Sequence, residues 1–182
     1  MKVLKEIVDI KAPFESFLKW ADNFETEFVK WSPLHLECDL FNKSINKGDR
    51  VRFYEIVMGL EYDVTGTLIE SERDDNHLKI TFESDKKTAL ITFEAIRTNE
   101  GFKFTHTESF GSQNKVFGWL INFLVFKVFY RKYCKWDLIQ DDMKLDNIYL
   151  NNILTEGKYP ERIAREDVKN HSPKELMDFL NK

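Results

Sequence analysis

The chain has 182 residues, of which 42% are apolar, and its 27 basic and 31 acidic side chains give a formal net charge of −4. This length suits one domain with a short tail and leaves enough apolar residues for a real core. The charges are mixed along the sequence, without the basic stripe that neutralises nucleic-acid phosphates, so we expect no nucleic-acid partner. The 16 phenylalanines indicate either a bulky core or an apolar cavity wall.

Two further features predict the compartment. Cys38 and Cys134 lie far apart and match no metal or redox spacing, and the first ten residues resemble a strand and not a signal peptide. We therefore expect a cytoplasmic protein. The apolar run 116–130 is shorter than the ~20 residues of a typical transmembrane helix and contains Asn122 and Lys127. We expect no integral membrane segment, and predict that this run is buried or covers a cavity.

The first half of the chain predicts a sheet preceded by two short helices. Residues 3–10 alternate as a strand, and 14–31 have helical spacing with a break at Asp22-Asn23. Turn signals then separate short apolar runs, and short links of this kind join antiparallel neighbours. The predicted strands of this region are 36–41, 49–57, 60–70, 77–83, 88–97 and 102–110.

The second half predicts a long helix that covers the apolar face of the sheet. It runs from Lys115 to about Leu154 without a proline. Its later part is amphipathic, with apolar residues at helical spacing: Leu138, Leu145, Tyr149 and Ile153. The sequence becomes charged beyond it, and Pro160 and Pro173 each suit the first position of a short helix. We predict one α+β domain at 1–156 and a short helical appendage at 157–182.

Strand 49–57 carries a glutamate on its apolar face. Val51, Phe53, Glu55 and Val57 share that face through the two-residue period of a strand. A buried carboxylate is costly unless it is paired, protonated or bound to a cation. Glu55 is therefore a candidate functional residue, and the alternative is a side chain that reaches the rim of a cavity.

The last predicted strand repeats this pattern with two ionisable residues. One face of the strand carries Phe102, Phe104, His106, Glu108 and Phe110. His106 and Glu108 would then line the interior beside aromatic rings. A hydrogen-bonded core histidine is the alternative interpretation of His106.

Three more polar residues become candidates only in combination. His35 follows the predicted short helices in a Trp-Ser-Pro-Leu-His loop, and Asp142 and Asp146 lie one helical turn apart in the long helix. Two acids on one helix face repel each other, and a cation between them would remove the repulsion. Taken alone, their spacing is explained more simply by a helix edge that faces water.

The sequence resembles a known family at three places. The segments 31–35 (WSPLH), 47–59 (KGDRVRFYEIVMG) and 102–111 (FKFTHTESFG) are similar to START-like, helix-grip proteins, within them to a bacterial branch related to diacetylphloroglucinol hydrolase. The resemblance covers about residues 1–155. It implies an α+β helix-grip fold: a curved antiparallel sheet of six to seven strands wrapped on a long C-terminal helix, with two short helices after the first strand and a ligand cavity in between.

The resemblance also implies a metal site. In the hydrolase branch a loop histidine, a strand glutamate and a His-x-x-x-Glu pair on the last helix bind zinc, and these positions match His35, Glu55, Asp142 and Asp146 here. Two aspartates thus replace the expected histidine and glutamate. One histidine with three carboxylates favours manganese, iron or magnesium over zinc.

Specific residues support two functions, while a third, a protein-interaction module that uses residues 158–182, has no specific residue behind it. The first is binding of a small, mostly apolar ligand, such as an aromatic, polyketide or lipid-like molecule, between the sheet and the helix. The alternative is a metal-dependent hydrolase of an acylated phenolic or polyketide-like substrate. His35, Glu55, Asp142 and Asp146 would then hold one divalent ion, with His106 or Glu108 as the catalytic acid or base. The sequence leaves the ligand and the oligomeric state undetermined.

Overall fold

The computed structural model describes residues 1–57, 60–114, 116–129, 136–164 and 167. Seven strands form the sheet: β1 (Lys2–Ile10), β2 (His35–Leu40), β3 (Arg50–Val57), β4 (Leu60–Arg73), β5 (His77–Ser84), β6 (Ala89–Thr98) and β7 (Gly101–Phe110). The helices are α1 (Phe14–Asp22), α2 (Phe24–Trp31), α3 (Gly118–Phe123) and α4 (Trp136–Glu156), and a π-helical turn at Leu124–Phe129 follows α3.

The sheet is a single antiparallel layer in the order β1-β7-β6-β5-β4-β3-β2. The consecutive strands from β2 to β7 are neighbours, and β1 closes the other edge against β7. Every predicted strand is present, with ends that differ from the prediction by at most three residues. The predicted α+β sheet of six to seven strands with two short helices after the first strand is thus confirmed.

The core is built largely from aromatic side chains of α1 and α2. Phe17, Trp20, Phe28 and Trp31 are buried against the inner face of the sheet, where Phe104 is also buried. The sequence pattern assigns the covering role to the helix after residue 115. That assignment is incomplete, because the two short helices provide most of the aromatic cover and α4 adds only part of it.

The apolar segment, residues 116–129, is the main correction to the predicted fold. We expected it to be buried or to cover a cavity, yet Trp119 is 72% exposed and Phe117 is 62% exposed. The segment forms α3 and the π-helical turn, and α4 begins at Trp136. Residues 115 and 130–135, where the prediction of one continuous helix would be decided, lie outside the described residues.

The buried face of α4 differs from the predicted one by about one residue. Of the four predicted stripe residues only Ile153 is buried, while Leu138, Leu145 and Tyr149 are half-buried. The buried residues are Ile139, Met143, Asp146, Asn147, Leu150 and Ile153. The difference arises because the buried face includes polar residues, which a pattern of apolar residues alone leaves out.

The chain after α4 packs back onto the domain. Residues 157–164 are irregular, so the helix predicted to begin at Pro160 is not formed over 160–164. The Arg162 guanidinium donates hydrogen bonds to the backbone carbonyl oxygens of Val29, Ser32 and His35 at 2.5, 2.9 and 3.0 Å. Residues 165–166 and 168–182 of the predicted appendage are not among those described. None of the helices in the described part of the chain is long and apolar enough to span a membrane.

Replacing Gly66 with alanine is expected to destabilise the sheet. A Cβ atom at Gly66 would lie 2.1 Å from the carbonyl oxygen of Glu83 and 2.6 Å from two ring atoms of Phe82. Because neither the paired backbone nor the buried ring can move freely, we expect a loss of about 3 kcal/mol. Urea denaturation measures this loss, and Thr67→Ala on the same strand is the control. Equal losses for the two variants would contradict the packing shown here.

Candidate functional site

Six ionisable side chains surround one small cavity between the sheet and the helices. They are His35, Glu55, His106, Glu108, Asp142 and Asp146. The cavity has a volume of about 20 Å³, which is room for about one water molecule or ion. The remaining wall is apolar and aromatic, with Phe28, Trp31, Phe53 and Phe93 among its residues. The structure therefore brings together every side chain that the sequence analysis named as a site residue.

The register of the sheet and the turn of α4 explain this convergence. His35 is the first residue of β2 and lies opposite Glu55 on β3, next to a bulge at His35/Glu37. His106 and Glu108 are two residues apart on β7, so both face inward. Asp142 and Asp146 are one turn apart on α4 and face the same space. Three strands and one helix thus each contribute to the site.

The ring of His35 is held in one orientation. Its Nδ1 lies 2.8 Å from the carbonyl oxygen of Phe28, and its ring stacks on the Phe28 ring with centroids 4.0 Å apart. A carbonyl oxygen can only accept, so Nδ1 carries the proton and Nε2 is left to face the carboxylates. Nε2 lies 3.7 Å from Glu55 Oε2 and 3.6 Å from Asp146 Oδ2.

Trp31 connects this cluster to α4. It is fully buried, and its Nε1–H donates a 2.7 Å hydrogen bond to the backbone carbonyl oxygen of Asp146. Its ring also meets the rings of His35 and His106 at 5.4 and 6.1 Å between centroids. The sequence analysis treated Trp31 only as part of a loop motif, because nothing in its local pattern indicates a hydrogen bond across 115 residues.

The second histidine is paired with the neighbouring glutamate. His106 Nε2 lies 3.1 Å from Glu108 Oε1. The ring of His106 is buried and packs on Phe93 with centroids 4.8 Å apart. Neither ring nitrogen of His106 has a hydrogen-bond partner among the described residues, so the contact with Glu108 is close but not aligned as a hydrogen bond. His106 therefore differs from the core histidine with satisfied hydrogen bonds that we considered as an alternative.

Burial sets the electrostatics of the cluster. Desolvation raises the pKa of Glu55 to about 7, an effect that the nearby His35 opposes and Glu108 and Asp146 reinforce. Burial also raises the pKa of Asp142 well above its usual range, with further contributions from the carboxylates of Asp146 and Glu55. Burial lowers the pKa of His35, but Asp146 and Glu55 more than offset this and leave it raised. All three groups therefore hold protons more tightly than they would in water.

The side chains around the cavity are of types that bind divalent cations. Among the described residues, no hydrogen-bond partner reaches Oδ1 of Asp142 or Oδ1 of Asp146, although both atoms are buried. Two ligands of a tetrahedral ion with bonds of ~2.1 Å are ~3.4 Å apart, close to the 3.6 and 3.7 Å around His35 Nε2. No three His, Cys, Asp or Glu side chains in the described ranges already meet the spacing of a metal site. A bound ion would therefore require these side chains to move closer together.

A much larger cleft adjoins this cavity. It has a volume of about 720 Å³ and opens between β4, the turn after β5, the end of β7 and the apolar segment. Its apolar lining consists of Val64, Phe110, Ile121, Val125, Phe126, Trp136 and Ile139, with parts of Tyr62. Ile139 also lines the small cavity, so the two spaces meet at this side chain. The volume lies within the range of small-molecule sites.

A side-chain amide fixes the apolar segment over the cleft. Asn122 Oδ1 accepts a 2.6 Å hydrogen bond from the backbone N–H of Ser112, and its Nδ2 donates to the Ser112 carbonyl oxygen at 3.1 Å. Gly111 permits this approach, because a Cβ atom there would lie 2.4 Å from Asn122 Oδ1. In the sequence, Asn122 was noted only as an interruption of an apolar run.

Comparison with known proteins identifies the fold. No protein-family model and no curated protein matches the chain. The protein TTHA0849 from Thermus thermophilus is similar, with a TM-score of 0.58 and 18% identity over 86% of this chain and 99% of that one. The Polyketide_cyc-like protein Cgl2372 from Corynebacterium glutamicum gives a TM-score of 0.51 and 12% identity over 87% and 97%. The major latex-like protein 151 from Panax ginseng gives a TM-score of 0.50 and 13% identity over 63% of this chain and 81% of that one.

At these identities the similarity establishes the fold alone. The chain has the helix-grip fold of START-like proteins, as its sequence predicted. The resemblance to the diacetylphloroglucinol hydrolase branch stays a prediction, and so do the roles of the six clustered residues.

Proposed function

We propose that the protein binds a small, mostly apolar molecule in the cleft and hydrolyses it with a divalent cation held by His35, Glu55, Asp142 and Asp146. The observation that carries the proposal is the convergence of six buried or half-buried ionisable side chains on one small cavity beside the cleft. The proposal combines the two functions that the sequence left open, since ligand binding becomes the first step of the reaction.

The free-energy cost of burying these ionisable groups argues against a protein that only carries an apolar ligand. A site for apolar ligands needs only a few polar groups, whereas each buried carboxylate costs several kcal/mol unless it is paired or bound to a cation. Four carboxylates meet here with two histidines. Strongly perturbed ionisable groups beside a cleft are typical of functional sites, and a cation would satisfy the unpartnered oxygens of Asp142 and Asp146.

The donor set narrows the identity of the cation. One imidazole nitrogen with three carboxylates is a hard ligand set and favours manganese, iron or magnesium. The contact between His35 Nδ1 and the Phe28 carbonyl is the kind of outer interaction that orients metal-binding histidines. A divalent cation in such a set polarises a carbonyl oxygen or lowers the pKa of a water molecule.

The remaining residues supply proton transfer and substrate binding. His106 Nε2 lies 3.1 Å from Glu108 Oε1, and neither ring nitrogen of His106 has a hydrogen-bond partner among the described residues. The imidazole can therefore take up a proton from a substrate or release one to it. The apolar wall of the cleft binds the body of the substrate and excludes water. Ile139, which lines both spaces, lies where the substrate would pass from the wall to the cluster.

The cleft also suggests the class of substrate. Its apolar and aromatic lining suits an acylated aromatic or polyketide-like molecule. The name of one structural neighbour, a Polyketide_cyc-like protein, agrees with this class.

The test is a hydrolysis assay with acylated phenols and aromatic esters in the presence of Mn²⁺, Fe²⁺, Mg²⁺ or Zn²⁺. We expect turnover that needs a cation, is abolished by a chelator and falls at least about a hundredfold in Glu55→Gln and in His106→Gln. Lys11→Gln, far from the cluster and exposed, is the control. Equal turnover in the parent and Glu55→Gln, or binding of an apolar fluorescent probe without any cation-dependent turnover, would refute the hydrolase.

Arg162 is expected to support cation binding from outside the cavity. Its three hydrogen bonds to backbone carbonyls hold the turn that carries His35. Arg162→Ala should therefore weaken Mn²⁺ binding about tenfold, as is typical for residues that position a metal ligand. Isothermal titration calorimetry measures this change. Tyr159→Phe is the control, because it removes only a hydrogen bond to Glu27 in the same segment, and unchanged affinity in Arg162→Ala would contradict the role.

A further inference from the structure

The apolar segment exposes large side chains on its outer face. Val116, Phe117, Trp119, Phe123 and Val128 are each between 54% and 72% exposed. The inner face is a different stripe, with Asn122, Val125 and Phe126 directed at the cleft. Because the segment is apolar on both faces, the contacts with the cleft leave its outer face without cover from the described residues. Contiguous exposed apolar surface of this kind marks an interaction site.

The charge around this segment is opposite to that of the rest of the chain. Between Glu108 and Asp137 the sequence has five basic residues (Lys115, Lys127, Arg131, Lys132 and Lys135) and no acidic one. The other residues contribute 22 basic and 31 acidic side chains, so a region of net charge +5 stands against −9 elsewhere. The overall mixture of charges that we noted in the sequence therefore has one clear exception.

Exposed lysines of a turn in the sheet lie close to the apolar segment. The backbone N–H of Gly111 donates a 2.7 Å hydrogen bond to the Thr88 carbonyl oxygen, which puts the turn between β5 and β6 beside the start of the segment. That turn exposes Lys86 and Lys87, and its Asp85 is paired with Arg50. Lys127 within the segment is exposed as well.

We propose that the apolar segment binds the surface of an anionic lipid bilayer. Tryptophan and phenylalanine side chains with flanking basic residues are the composition of helices that lie in a membrane interface. Lys86, Lys87 and Lys127 would contact anionic headgroups. Trp119, Phe117 and Phe123 would enter the boundary with the acyl chains. The segment is too short to cross the bilayer, so the attachment is peripheral.

Charge favours a bilayer over a second copy of the chain. A symmetric dimer through this face would bring the exposed lysines Lys86, Lys87 and Lys127 of both subunits together. Like charges in contact oppose association. An anionic surface removes the repulsion and adds attraction. The mode of attachment also suits the cleft, because Val125 and Phe126 line the cleft on the inner side of the same segment. An apolar ligand could then enter from the membrane.

Vesicle flotation tests this inference with the full chain. The probes are vesicles of phosphatidylcholine alone and vesicles that also contain phosphatidylglycerol. We expect the parent protein to float with the anionic vesicles, to stay unbound with the neutral ones and to dissociate when salt is raised. Trp119→Ser and Phe123→Ser should each lower the partition coefficient roughly tenfold. Phe41→Ser removes a side chain that is 59% exposed on the turn after β2 and should leave binding unchanged.

Three outcomes would overturn the inference. The first is that the parent protein does not bind anionic vesicles. The second is that Trp119→Ser and Phe123→Ser bind these vesicles as well as the parent does. The third is that the protein binds no vesicles but forms a concentration-dependent dimer that Trp119→Ser dissociates. Thermal midpoints equal to that of the parent verify that the variants are folded. The inference does not depend on the proposed cation, since vesicle binding is measured with a chelator present.

Discussion

The metal-free protein is expected to lose stability as the pH rises from about 5 to about 8. The pKa of Glu55 is about 7 in the folded chain against 4.5 for an ordinary glutamate, because burial penalises its charged form. The pKa values of Asp142 and His35 are raised as well. The folded state therefore binds more protons than the unfolded state in this window. Stability that depends on bound protons is present at the low end and is lost as the pH rises.

Glu55 alone should account for about 3 kcal/mol of this loss, since each unit of pKa shift corresponds to about 1.4 kcal/mol. Urea denaturation at a series of pH values with a chelator present measures the slope. Glu55→Gln should make stability depend less steeply on pH. Added Mn²⁺ should restore stability most at the high end of the pH range, where the carboxylates bind no protons. Stability of the chelated protein that rises between pH 5 and 8 would contradict the arrangement of the cluster.

Replacing Trp31 with alanine is expected to cost about 4 kcal/mol of folding stability. The side chain is completely buried and packs on Trp20, Phe28 and Phe93. Its Nε1–H also ties α2 to the carbonyl oxygen of Asp146 on α4. The substitution would leave a large cavity and release that connection, so the cation affinity should fall together with the stability.

Trp119→Ala provides the matched control for this experiment. It removes the same kind of side chain from a position that is 72% exposed, and we expect a change of less than about 0.5 kcal/mol. Urea denaturation at pH 6 compares the two variants. A similar cost for both, or a loss below about 1 kcal/mol for Trp31→Ala, would mean that the packing around Trp31 is not as described.

The sheet was predictable because its signals are local. Alternating apolar residues and turn sequences such as Asn99-Glu100-Gly101 determine each strand separately, and short links then leave one neighbour order for β2 to β7. The two inward faces that carry Glu55 and His106 followed from the two-residue period of a strand. The resemblance supplied what periodicity could not, namely that His35 and the aspartates of α4 lie near these faces.

The features that the sequence failed to predict depend on contacts between distant parts of the chain. The alternation in β3 identifies only the face that carries Glu55, yet Ile56 on the opposite face is buried beneath Leu34 and Ile163. The chain after α4 returns across that face. The apolar segment 116–129 has the composition of a core helix, but α1 and α2 already fill the interior. Exposure of the segment could be predicted only from knowledge of what else covers the sheet.

The arrangement of ionisable groups ties the fold to the proposed chemistry. A bulge places His35 opposite Glu55. A hydrogen bond from Trp31 positions the helix that carries Asp146. Arg162 holds the turn from Ser32 to His35 through their backbone carbonyls. Each of these contacts orients a candidate cation ligand. None of them is needed for a cavity that only binds apolar molecules.

The most direct test of the cation site is the metal content of the purified protein, measured by inductively coupled plasma mass spectrometry after saturation with Mn²⁺, Fe²⁺, Mg²⁺ or Zn²⁺ and removal of free ions. We expect about one equivalent of a divalent cation per chain, with Glu55→Gln and Asp142→Asn losing most of it while staying folded. No retained cation in the parent protein, or equal content in the parent and both variants, would contradict the site.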